Sequence, residues 1–275
     1  MPPRPKPEPE PVAAGRAQGA GLATRIFSHD QLIVGGALAA AAGLAWWWLI
    51  RAGAAPMPEM GGAMAGMAAD PAVWSVAYLL SAFTMWALMM VAMMLPSAAP
   101  MILLYARFAK GAGRGHADTA VFVLCYLAIW TGFSAAAALG QALLVATGLV
   151  SGMGLAIGPR AVAGALLTLA GLWQLSPLKD SCLETCRSPL SFMLRLWRPG
   201  PKGALRLGFA HGLYCLGCCW ALMLLLFVGG VMNLVWIAGL AALVMAEKLA
   251  PVSLRKPLAA LLILGGIVMV LSIWA

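Results

Sequence analysis

Long apolar runs, separated by short stretches that carry nearly all of the charge, dominate this chain. A helix needs about 20 mostly apolar residues to cross a hydrocarbon core of roughly 30 Å. Seven stretches approach or meet that length: Gln31 to Ile50, Ala72 to Leu95, Thr119 to Gly140, Ala161 to Leu178, Gly208 to Val228, Val231 to Ala246 and Leu258 to Trp274. The pattern predicts an all-α fold, a polytopic transmembrane helix bundle of about seven spans. Gly229 and Gly230, which alone separate the fifth and sixth stretches, read as a tight helical hairpin. The apolar segment 141–158 either extends the third span with a tilt or lies re-entrant in the interface. Pro96 and Pro100 are expected to break or kink the helix that leads up to them.

Composition agrees. Of 275 residues, 63% are hydrophobic and 10% charged, with a mean hydropathy of +0.91; ordinary soluble domains have about 45–50% apolar and about 25% charged residues. In a soluble protein, 18 Lys+Arg against 9 Asp+Glu would suggest a nucleic-acid partner. Here the basic residues act first as topology determinants, and nucleic acid drops out as a partner. Sixteen of them fall on one side of a seven-span layout and only Arg51 and Arg160 on the other. The N-terminus is therefore expected in the cytoplasm and the C-terminus outside, in a multi-pass protein of a bacterial inner membrane. Residues 1–30 are expected to be a disordered cytoplasmic tail, since MPPRPKPEPE lacks the order of a signal peptide. Residues 31–275 then form a single transmembrane domain, with an outer Met-rich loop at 51–71 and a cytoplasmic Cys loop at 179–207. Trp46, Trp47 and Trp48 read as interfacial anchors at the outer end of the first span. A Walker-type loop is missing, which excludes an ATP-driven pump within this chain, and no internal repeat speaks for an inverted-repeat transporter.

This layout places all six cysteines at the cytoplasmic end, where thiols stay reduced and metal or redox chemistry replaces structural disulfides. His211, Cys215, Cys218 and Cys219 lie in the fifth span. At about 100° per residue the first three share an arc of about 60°, with Cys219 about another 60° on, so one helix face carries an imidazole and three thiols. Gly212 and Gly217 beside them suit close approach of a neighbouring helix. In the loop, Ser181 and Glu184 have the spacing of a capping box. A short helix starting there would put Cys182 in its first turn and Cys186 one turn on.

The methionines extend the soft-ligand theme. Met57, Met60, Met64 and Met67 punctuate a Gly/Ala-rich outer loop that has no core to fill, and Met85, Met89 and Met93 recur every four residues in the second span. Thioethers and thiolates favour Cu(I), whereas a site of Cys and His alone admits Zn as well. Met stripes also serve as ordinary packing.

These residues resemble a known group. The set Met89-Met90-x-x-Met93-Met94-Leu-Pro96-Ser97, the segment Leu178-Lys-x-x-Cys182-Leu-x-x-Cys186-Arg187 and the run Gly212-x-Tyr-Cys215-x-Gly217-Cys218-Cys219-Trp220 are similar to a bacterial family of predicted metal-binding integral membrane proteins, defined by a domain of unknown function. The resemblance spans about residues 75 to 250 and implies a membrane location and a metal. The leading expectation is a membrane protein that handles Cu(I) in transport or cuproenzyme assembly. Its partners would be the lipid bilayer, the transition metal ion, and a metallochaperone or cuproenzyme. The alternative is a membrane thiol oxidoreductase that uses Cys182/Cys186 and Cys215/Cys218/Cys219 as exchanging pairs; it lacks outward-facing cysteines.

Overall fold

The computed structural model describes residues 29–54, 71–111, 113, 115–151, 155–250 and 253–273. The tail before His29 and the methionines Met57, Met60, Met64 and Met67 lie outside the described residues.

The described residues are helical nearly throughout. α1 spans His29–Ala54, and a short 3-10 turn at Pro71–Trp74 leads into α2, Val76–Gly111. α3 is Gly115–Ala146; then come two-residue strands β1 (Val150–Ser151) and β2 (Ala156–Ile157), paired antiparallel. α4 is Arg160–Leu175, α5 Pro177–Arg187, α6 Pro189–Leu196, α7 Pro201–Leu224, α8 Leu226–Gly229, α9 Leu234–Leu249 and α10 Arg255–Leu271. Segment 141–158 thus resolves into the end of α3 and a small hairpin.

Among the described residues, four helices are long and apolar enough to cross a membrane: α1, α2, α3 and the α7–α8 unit. A fifth candidate is the bent pair α4 and α5, which meet at 66°. The remaining expected spans form helices of 16 residues (α9) and 17 residues (α10).

Local chemistry explains the breaks. Pro177, Pro189 and Pro201 each stand at the start of a helix, where a missing N–H costs nothing. At the α4–α5 bend, Ser176 closes one helix and opens the next, its side chain accepting from the Leu178 amide. The α5 cap is therefore Ser176 rather than Ser181. Ser181 sits inside the helix and donates to the Pro177 carbonyl, so Cys182 falls in the second turn. The expected Cys loop 179–207 is largely helical, made of α5, α6 and the first turns of α7. Gly230, with φ +94°, turns the chain between α8 and α9, and Asn233 caps α9 by accepting from Trp236 N–H.

α2 runs unbroken through Pro96 and Pro100. A proline leaves the carbonyl four residues earlier without its amide donor; for Pro96 that is Ala92, whose carbonyl instead accepts from the Trp46 indole at 3.1 Å. Trp46 thereby ties α1 to α2, beyond the interfacial role its position suggests. The core lies between α2, α3 and α7. α7 approaches α3 through Gly208 and Gly212, where a Cβ would come within 2.5 Å of the Phe122 carbonyl and 2.8 Å of Ile129.

Candidate metal centre

The thiols gather where α5 and α7 pack together beneath α9. Cys215, Cys218 and Cys219 are at most 1% exposed, and the Sγ atoms of Cys218 and Cys219 lie 3.1 Å apart. Cys218 also donates to the Cys215 carbonyl at 3.2 Å. From α5, the half-buried Cys186 comes within side-chain hydrogen-bonding reach of both Cys215 and Cys218. Two helices remote in sequence thus bring four of the expected site cysteines together. Cys182 is close by but faces differently: its sulfur lies over Gly217 of α7, 2.8 Å from where a Cβ would be. All six cysteines are free.

A polar bridge holds Cys215. Lys248 of α9 donates to Cys215 Sγ at 3.0 Å and to Ser97 Oγ at 2.8 Å, and Ser97 donates to the Met94 carbonyl at 2.9 Å. The Tyr126 hydroxyl donates to the same carbonyl at 3.0 Å, and its oxygen lies 3.2 Å from Cys215 Sγ. Lys248 is only 6% exposed, and a buried ammonium requires a compensating partner. Its neighbour Glu247 does not supply one, since that carboxylate pairs with Lys179 at 2.8 Å, both groups being at most 1% exposed. Arg187 closes the same corner by donating to the Glu247 carbonyl at 2.7 Å.

Lys179 and Lys248 are among the sixteen basic residues that the seven-span layout treats as loop charges. The structure buries both, together with Glu247. Sequence reasoning assigns no place in the site to Lys248, Tyr126 or Ser97, although Ser97 closes the quoted methionine motif. The one available signal was an adjacent acid and base, Glu247-Lys248, closing an apolar run.

His211 is 4% exposed and stacks against Tyr126 and Phe122, with centroid distances of 5.4 and 5.9 Å. Among the described residues, neither ring nitrogen has a hydrogen-bond partner. The histidine lines a cavity of about 150 Å³ together with Cys186, Lys248, Ser97, Arg187 and Met101. Met85, Met89 and Met93 are buried in the same core as the thiols but do not line this cavity.

Among the described residues, no three or more His, Cys, Asp and Glu side chains already enclose a metal-sized point. A tetrahedral zinc cage is thus not preformed. A soft monovalent ion asks for less, since two thiolates satisfy it. With metal–thiolate bonds of about 2.3 Å, two thiolates on a near-linear ion stand about 4.6 Å apart, so Cys218 and Cys219, 3.1 Å apart, would have to separate to hold an ion between them.

The sequence pattern of one protein family, described as PpoB2 copper chaperone, matches residues 83–274, well over half of the chain. The chain belongs to this copper chaperone family. The match covers every cysteine and His211 and extends through α10; Met57, Met60, Met64 and Met67 precede it. Neither the curated proteins nor the solved structures yield a match.

Proposed function

We propose that this protein is a membrane-embedded copper chaperone that holds Cu(I) on thiolates of the Cys186, Cys215, Cys218 and Cys219 cluster and passes it to a cuproenzyme. The observation that carries this reading is the convergence of four thiols from α5 and α7 beside a cavity. Thiolates select soft ions, and the family's description names copper. Lys248 adds electrostatic support, because a copper bis-thiolate carries a net negative charge that a buried ammonium offsets. Met101 offers a thioether at the cavity wall. The buried Met85, Met89 and Met93 serve the core of α2.

In this reading the helices span the inner membrane about seven times with the N-terminus inside. The distribution of basic residues supports that layout, and four or five of its spans are met by helices long and apolar enough to cross a membrane. Met57, Met60, Met64 and Met67 then form a capture segment on the outer side. Replacing Cys215, Cys218 and Cys219 together with Ser should abolish stoichiometric Cu(I) binding by detergent-purified protein while leaving its size-exclusion profile unchanged. Equal copper in variant and wild type would make the site assignment wrong. In intact cells, a cysteine introduced at Gly62 should react with an impermeant maleimide while Cys182 stays protected.

A further inference from the structure

The cluster has an inside and an outside. Cys215, Cys218 and Cys219 are sealed, and none of them lines the cavity. Cys186 belongs to both regions, since it is half-buried, forms part of the cavity wall, and reaches Cys215 and Cys218. Across the same cavity stands His211, 96% buried by its 4% exposure, with both nitrogens unpartnered. A buried polar group without a partner is costly, and among the described residues Phe122, Tyr126 and Phe192 surround the ring without satisfying either nitrogen. A neutral imidazole in that state is a vacant metal ligand.

We infer that the cavity is the port of the copper site, with His211 the ligand that first receives Cu(I) and Cys186 the thiol that hands it on to Cys215 and Cys218. This rests on the thiol cluster being the copper site. The transfer needs no redox step. Copper arrives bound to a carrier thiolate, and a His211 nitrogen adds to it. The Cu–S bond to the carrier then breaks as the bond to Cys186 Sγ forms, and the proton displaced from Cys186 goes to the departing carrier sulfur. Next, Cys215 Sγ, which accepts from the Lys248 ammonium and reacts as the thiolate, bonds to the copper as the bond to His211 breaks, which returns the imidazole to its unliganded state with no further proton to place. Lys248 on the same wall favours approach of an anionic copper–thiolate carrier. His211 thus governs how fast copper moves, and the sealed thiols govern how tightly it is held.

His211→Phe keeps the stacked ring and removes only the nitrogens. Using the Cu(I)–glutathione complex as donor and a colorimetric Cu(I) chelator as acceptor, loading and removal should both slow by about tenfold or more. Stoichiometry and equilibrium affinity should stay within about threefold of wild type. Unchanged rates would overturn the port. So would a loss of bound copper in proportion to the rate, which would make His211 a permanent ligand. Failure of wild-type protein to bind Cu(I) at all would instead remove the copper reading beneath the inference. A second measurement avoids substitution: limited iodoacetamide treatment of metal-free wild-type protein, followed by peptide mass analysis. Cys186 should be alkylated before Cys215, Cys218 and Cys219, and modification of any of those three first would contradict the route.

Discussion

Two regions of this molecule solve the problem of burial in opposite ways. The α4–α10 pair packs through glycines: a Cβ on Gly164 would lie 2.7 Å from the Gly266 carbonyl, and one on Gly171 would lie 2.6 Å from Ile263. Its outer faces are plain leucine, with Leu169, Leu172, Leu261 and Leu264 exposed. Small residues that let backbones touch are a common device in membrane helix pairs. The end where α5, α7 and α9 meet instead buries two lysines, a glutamate and three cysteines, with hydrogen bonds from both lysines among them. Breaking such a buried pair is costly, whereas an apolar replacement of the whole pair is often neutral or better. Packing alone therefore explains the first region and leaves the second unexplained. The charged end is organised around the thiols.

The largest effect that would sharpen this contrast comes from Glu247→Gln, which strands the ammonium of Lys179. It should destabilise the protein by about 3–5 kcal/mol, read as a large drop in Tm in detergent. The paired change Lys179→Met with Glu247→Leu should recover most of that loss; no recovery would mean that the pair holds the fold in some further way. Next is Lys248→Met. Loss of a hydrogen bond from a charged donor, worth about 1.5–3 kcal/mol, should weaken Cu(I) binding by about tenfold or more in a competition titration while Tm moves little. If Tm fell and affinity held, Lys248 would be structural and the two regions would differ less than argued. The smallest effect is expected from Gly266→Ala, where overpacking costs about 1–3 kcal/mol. Thermal stability should fall and copper affinity stay at the wild-type value; a matching loss of affinity would show that the two regions are coupled.

The sequence revealed the parts that follow short-range rules. The apolar runs marked the helices, Gly229-Gly230 marked a turn, and the 100° rotation put His211, Cys215 and Cys218 on one face. It misplaced what depends on partners distant in the chain. Pro96 suggested a break or a kink, and α2 continues through it because the indole of Trp46, 46 residues before Ala92, takes the Ala92 carbonyl. Lys179 looked like a loop charge because its partner Glu247 is 68 residues away. Ser181 looked like a cap because Ser176, with Pro177 behind it, makes the stronger start five residues earlier. Cys182 and Cys186 looked alike in one helix, yet Cys186 reaches the thiols of α7 while Cys182 seats on Gly217. No periodicity distinguishes them, because the difference lies in the opposing helix.

The central claim is that copper rests on sulfur at the sealed end of this cluster. X-ray absorption at the copper edge of wild-type protein loaded with one equivalent of Cu(I) tests it most directly. The account predicts a Cu(I) edge with a first shell of sulfur alone, lost when Cys215, Cys218 and Cys219 are replaced by Ser. A first shell dominated by nitrogen or oxygen, or a sulfur shell that survives the triple replacement, would contradict it.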